Sequence, residues 1–262
     1  MSRFITRRRS AALVVLVLVV CPACSTVSSR ERAAHGSWPH TIRSGEWIIQ
    51  WSAKAAIAWQ HGRKYEFPIY TDARDSCATW SDRRPCPRGW FLNTEHHLLS
   101  AMANLVSYST SWEGSGGAHP VYGSMFQTVD LDTGQPGDIT QIADEADVVA
   151  ALLAEPLIQK YYKGNTPSDL DDLIGGLERP CEISFADLPS HFRLKAIRGD
   201  RMTLEFGLQH GCETMRRNFT RFAITVPIPT DVDSVVREAA ANLPVITASA
   251  FGGMPRSHRI GN

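Results

Sequence analysis

From Trp47 to Trp59 every second position is apolar: Trp47, Ile49, Trp51, Ala53, Ala55, Ile57 and Trp59. A period of two marks a half-buried strand. Trp47, Trp51, Ala55 and Trp59 also stand at the i, i+4 spacing of a helix, for which the alanines are well suited. Beyond Glu95 the pattern sharpens. Residues 105–112 and 122–131 predict two strands, and Asp132-Thr133-Gly134 predicts the turn that follows them. Residues 144–162 carry a helical stripe of Val148, Leu152 and Leu153, with Pro156 expected to kink or divide it. Thr166-Pro167-Ser168-Asp169 reads as a helix start: a cap residue, proline at the first position and an acid at capping-box spacing. Leu170, Leu173, Ile174 and Leu177 supply its apolar stripe, and Gly175-Gly176 ends it. Residues 192–197, 202–208 and 219–226 predict three more strands, the first two joined through Arg198-Gly199-Asp200. Asp231 is expected to cap a short helix reaching Asn242, ahead of a disordered tail over 243–262. Strands and helices are segregated along the chain, which predicts an α+β fold with antiparallel sheet packed against helices.

The amino terminus changes where this body is expected to work. Arg3, Arg7, Arg8 and Arg9 precede an unbroken apolar run over 11–20. A membrane span needs roughly 20 apolar residues, so this run reads as a signal peptide over 1–23. It ends in Cys21-Pro22-Ala23-Cys24, where a small residue directly before a cysteine resembles the lipobox of bacterial lipoproteins. Cys24 is the favoured lipidation site and Cys21 its rival. The expected organisation continues with a polar tether over 24–45, a small N-terminal subdomain over 46–94 and the α+β domain over 95–242. The location expected is the bacterial cell envelope, on the outer membrane or the periplasmic face, with membrane contact through the lipid.

Charge and cysteine usage fit an exported chain. The 27 Lys+Arg of the whole sequence include the four arginines of the signal, so the processed chain sets 23 against 27 Asp+Glu, a formal net of −4. Nucleic acid, which favours a basic face, is not an expected partner. Cys77, Cys86, Cys181 and Cys212 form an even set that predicts disulfides, with three connectivities open. Proximity favours Cys77–Cys86, closing a loop in the small subdomain, and Cys181–Cys212. Cys-x-x-Cys spacing occurs only inside the signal, so no zinc site, other metal or cofactor is expected.

One segment holds residues that chemistry could use: Trp112-Glu113-Gly114-Ser115-Gly116-Gly117-Ala118-His119-Pro120. A serine nucleophile among glycines would need its histidine and acid upstream, as in the trypsin-like proteases, or a strand-turn-helix elbow, as in the α/β-hydrolases. Neither context is present. A phosphate cradle would need Lys-Ser/Thr after the last glycine and a helix opening there. The segment reads instead as a wide hairpin connection, in which Gly116 and Gly117 supply positive φ and Pro120 stops the ladder.

Residues 107–120, followed by an aromatic-bearing strand and Val129-Asp130-Leu131-Asp132-Thr133-Gly134, resemble the extracytoplasmic domain of RsiV-type anti-sigma factors. The resemblance covers roughly residues 95–230 and includes the order of the three late strands; residues 46–94 are at most a diverged form of the smaller domain that precedes it in that family. It implies binding and not catalysis, since the best understood members are receptors for lysozyme. The segment ahead of the domain reads as a signal peptide and not as a sigma-binding segment with a membrane helix, so an anti-sigma role is not expected. The binding positions it points to are Trp112, Gly116, Gly117, His119 and Tyr122.

Other candidates carry less. Eleven acids against two lysines over 130–178 give a local balance of −9, which would steer a cationic partner such as lysozyme. The same acids stand near expected helix starts, where they stabilise the helix itself. Adjacent His96 and His97 point apart on a strand or a helix, which disfavours a shared metal. The seven tryptophans fall between Trp38 and Trp112, as core of the first half or as a platform for sugar rings. The function expected is a non-catalytic envelope lipoprotein that binds a protein or cell-wall component. A hydrolase of envelope polymers, using for example Glu113 with His119, and a structural lipoprotein without a discrete ligand are the rivals.

Overall fold

The computed structural model describes residues 40–52, 56–67, 91–115, 120–178, 183–209 and 219–250. Among these residues ten strands form three antiparallel sheets and four α-helices pack with them, so the described body is α+β with sheet predominating. The first sheet is a meander of β1 (His40–Ser44), β2 (Trp47–Trp51), β3 (Ala56–Gln60) and β4 (Arg63–Glu66). Its last turn places His61 and Gly62 at φ 43° and 84°, the two positive values that a tight hairpin turn of matching twist requires. The strand reading of 47–59 holds, but as two strands. Trp47, Ile49 and Trp51 are buried on β2, whereas on β3 the buried positions are Ala56 and Ala58, so the alternation changes phase between them. The sheet also takes in His40–Ser44, from the stretch read as tether.

The second sheet is built from long strands: β5 (Phe91–Met102), β6 (Leu105–Ser115) and β7 (Pro120–Asp130). The β6–β7 pairing runs unbroken from Leu105↔Asp130 to Ser115↔Pro120. No clean period predicts β5, because a register shift between Leu98 and Ser100 breaks it and leaves Leu98, Leu99 and Ser100 all buried. One face of this sheet presents Leu98, Ala101, Val106, Tyr108 and Val129 to the first sheet, forming one core with Trp47, Ile49 and Trp51. The other face turns Met102 and Leu105 into a second, larger core.

That second core lies under the third sheet, β8 (Phe192–Arg198), β9 (Arg201–Gln209) and β10 (Phe219–Pro227), ordered β10-β9-β8. Between β7 and β8 come α1 (Glu145–Leu153), α2 (Pro156–Tyr161) and α3 (Leu170–Gly175). Pro156 divides the predicted helix as expected, entering α2 at its first turn where its missing N–H costs nothing. The start of α3 differs from expectation. Asp169, and not Thr166, is the N-cap, its side chain accepting from the Asp172 N–H at 2.8 Å. The last helix, α4 (Asp233–Ala250), runs well past Asn242 and through Pro244. It belongs to both cores: Val236 and Ala239 enter the larger one and Ile246 the smaller, while Asn242 Nδ2 donates to the Arg43 carbonyl at 3.0 Å.

A row of hydroxyls joins the second and third sheets. Ser100, Ser107 and Thr128 are cross-strand neighbours on β5, β6 and β7, and all three are buried. Thr128 Oγ1 donates to the Phe192 carbonyl at 2.7 Å, so Ser107 Oγ, 3.0 Å away, donates to Thr128. Ser100 Oγ accepts the Leu194 N–H at 3.1 Å. Strand β8 therefore crosses the second sheet from β7 to β5, and the side chains of that sheet satisfy the outward backbone groups of its edge.

Three substitutions test this packing. Thr128→Val keeps the shape but strands the Phe192 carbonyl, and is expected to cost about 1–3 kcal/mol in urea unfolding. A Cβ at Gly207 would lie 2.5 Å from Phe126 Cγ and 2.6 Å from Phe219 Cζ. Gly207→Ala is expected to lose about 1–3 kcal/mol. Gly175→Ala, which meets nothing within 4 Å, should stay within about 0.5 kcal/mol or gain stability. Equal behaviour of the two glycine variants would contradict the packing of Phe126 on β9.

Candidate functional site

The residues singled out around the β6–β7 hairpin are only partly described. Trp112 lies on β6 and pairs with Gly123, and Tyr122 pairs with Glu113. Gly116, Gly117 and His119 lie outside the described residues, as do Cys24 and the four cysteines Cys77, Cys86, Cys181 and Cys212. Among the described tryptophans, Trp47 and Trp51 fill the smaller core, each 2% exposed, whereas Trp112 is half-buried.

Trp112 has an unusual seat. A Cβ at Gly123 would fall 1.9 Å from Trp112 Cζ2 and 2.2 Å from Cε2, so the indole lies across the glycine backbone. No other residue type leaves room for a ring in that position. Toward the first sheet, the next rows on the same face hold Thr110, His96 and Gln127. Thr110 Oγ1 donates to Gln127 Oε1 at 2.8 Å, leaving its lone pairs to accept from His96 Nδ1 at 3.1 Å. The relay makes Nδ1 the protonated nitrogen of a neutral imidazole. Burial, reinforced by the neighbouring His97, lowers the His96 pKa to about 4. Indole, imidazole, hydroxyl and amide thus share one sheet face without a formal charge among them.

The pair Glu95 and His97 occupies the opposite face, His97 Nε2 standing 3.5 Å from Glu95 Oε2. The two histidines point apart, as adjacent strand residues must. Among the described residues no group of three or more His, Cys, Asp or Glu is arranged to hold a metal, and no helix is long and apolar enough to cross a membrane.

The acidic stretch is engaged largely in shaping its own backbone. Asp138, Asp144, Glu155 and Asp169 each cap a helical segment through a side-chain oxygen. Glu145 accepts the Leu170 N–H at 2.9 Å, tying α1 to α3, and Asp132 pairs with Arg63 at 3.0 Å. Asp130 organises the Asp132-Thr133-Gly134 turn: its carboxylate accepts from the Asp132 N–H at 2.8 Å, from Asn104 Nδ2 at 2.7 Å and from Gln141 Nε2 at 3.3 Å. Burial would raise the Asp130 pKa, but these donors outweigh it and hold it below the usual carboxylate value. Sequence reasoning counted these acids; it missed the His96 relay, because Thr110 and Gln127 meet only through the pairing of three strands. Compared with known proteins, the chain matches no family model, no curated protein and no solved structure.

The relay has a pH signature. The folded pKa of His96 lies below its ordinary 6.5, so between those values the unfolded chain binds a proton that the folded chain refuses. Stability is therefore complete above about pH 6.5 and falls as the pH drops toward about 4, by on the order of 2 kcal/mol after allowing for solvent access. His191 is lowered by burial against an opposing Asp187 and adds in the same direction. His96→Gln should flatten part of the slope in urea unfolding between pH 7 and 4.5, and an unchanged slope would show that His96 titrates normally.

Proposed function

We propose that this chain is a non-catalytic binding module of the bacterial cell envelope, anchored by a lipid on Cys24, and that it takes a cell-wall-related ligand on the Trp112 face. The observation that carries the reading is the indole laid across Gly123 beside a neutral His96–Thr110–Gln127 relay. A flat π-surface flanked by uncharged donors and acceptors suits a sugar ring, whose C–H face stacks while its hydroxyls find hydrogen bonds. A hydrolase would place a carboxylate at such a centre, and this face offers a histidine held by a threonine.

The RsiV-like resemblance supports the same class of role. The order of a long hairpin, the turn organised by Asp130, a helical segment and a closing three-stranded meander is the order expected from it. It brings lysozyme as a second ligand. The exposed acids of α1 and α3, Glu145, Asp147, Asp171 and Asp172, favour that reading by gathering acidic side chains at the surface.

Calorimetric titration of the full chain, produced in an oxidising compartment, tests both. Soluble N-acetylglucosamine oligomers are expected to bind, and Trp112→Ala to weaken them about tenfold or more. A c-type lysozyme that binds instead, with an affinity that falls as salt rises, would make the acids the contact. Silence toward both titrants would remove the envelope-ligand reading.

A further inference from the structure

The third sheet ends in an edge whose hydrogen-bonding phase can be read from one contact. The Ile228 N–H donates to the Asp200 carbonyl at 2.8 Å, continuing the β9–β10 register in which Val226 faces Met202 and Ile224 faces Leu204. Bonded pairs alternate along an antiparallel ladder. Phe222, Ile224 and Val226 therefore exchange bonds with β9, while the backbone groups of Ala223 and Thr225 are directed away from it. The Thr225 carbonyl agrees with this phase, because it accepts from the side chain of Arg201, Nη2 at 2.7 Å, and not from the β9 backbone.

Along this edge runs a groove of about 480 Å³, with α1 as its far wall. The volume lies within the usual range for ligand sites, roughly 300–1,000 Å³. Its helix side is formed by Ala150, Ala151 and Ala154; apart from Arg201, which lines the groove and donates to the Thr225 carbonyl, the wall is of small side chains and leaves the space that an added strand, about 4.8 Å from β10, would need. Two acids, Asp147 and Glu155, stand on the same wall. Ala150, Ala154, Ala223 and Thr225 are all exposed. The geometry combines the outward N–H and carbonyl of Ala223 and the outward N–H of Thr225, a smooth helical wall, and two carboxylates against the single guanidinium of Arg201.

We propose that this groove binds an extended, basic peptide segment of a partner protein. The segment adds to β10 as an eleventh strand, exchanges main-chain hydrogen bonds with Ala223 and the Thr225 N–H, and turns a lysine or arginine toward Asp147 and Glu155. Main-chain pairing supplies affinity in such augmentation, and the side-chain wall supplies selectivity. The site lies on the third sheet and is independent of the Trp112 face, which belongs to the second.

The test uses the full chain, isotope-labelled, and two end-blocked heptapeptides of alternating residues, one of Val and Lys and one of Val and Glu. The Val/Lys peptide is expected to shift the Ala223 and Thr225 amide resonances, slow their hydrogen exchange, and bind about tenfold more tightly than the Val/Glu peptide. Ala223→Pro removes the outward donor without touching the β9 ladder, and should abolish the shifts. Asp147→Asn combined with Glu155→Gln should equalise the two peptides; because Glu155 also caps α2, the unfolding midpoint is expected to fall slightly while the fold is retained. Absence of β10 shifts at millimolar peptide, equal affinity of the unaltered chain for both peptides, or shifts that track self-association in sedimentation would each overturn the proposal.

Discussion

The architecture depends on how an edge strand is satisfied inside the protein. Strand β8 ends the third sheet, and its outward carbonyl at Phe192 and N–H at Leu194 would be buried without partners if two sheets met only through apolar side chains. An unsatisfied backbone group in such a place costs about as much as several methylenes gain. The second sheet meets the need with a row of small hydroxyls: Ser107 donates to Thr128 and Thr128 to the Phe192 carbonyl, while Ser100 separately accepts the Leu194 N–H. Larger residues there would hold the sheets apart, and alanines would leave the edge unpaired. The serine-rich character of β6 is thus a condition for joining two cores.

Around this seam charge is used locally. Glu205 is buried between Arg193 and Lys195, whose nitrogens stand 2.6 Å and 2.8 Å from its oxygens. Burial would raise its pKa, but the two cations outweigh burial and keep it ionised. Arg193 also lies 5.7 Å over the Phe126 ring, which itself rests on Gly207. Most of the described acids over 130–178 act as caps and turn organisers, while Glu145 reaches Leu170 and Asp132 reaches Arg63. Stability and surface charge therefore come from the same side chains, and a partner attracted by these acids would meet groups whose positions are already set.

The two faces of the second sheet are specialised differently. One buries tryptophan and aliphatic side chains against the first sheet, then opens toward Trp112 into an uncharged polar row. The other is committed to the hydroxyl seam and the larger core. A binding surface placed on the first of these inherits rigidity from both neighbours, because β6 is the central strand and every residue on it is paired on both sides.

Much of the element order was legible in the sequence, because local signals carry it. Pro156 had to divide a helix, Asp132-Thr133-Gly134 had to turn, and the late strands alternated apolar and polar residues as one-sided sheet demands. Misreadings arose where distant contacts decide. Strand β5 hides its period behind a bulge that only pairing with β6 reveals, and α4 continues through Pro244 because Ile246 finds a core assembled from the first two sheets. The helix start moved from Thr166 to Asp169 because the Leu170 N–H meets Glu145 of α1. The same divide runs through the candidate sites. The sequence by itself determined which residues have useful chemistry, Trp112 and His96 among them, since that is a property of side chains. Tertiary structure alone decided that the indole would lie on Gly123, that burial would keep His96 neutral with its Nδ1 on Thr110, and that β10 would present its edge to α1, since each requires strands far apart in the chain to be brought into register.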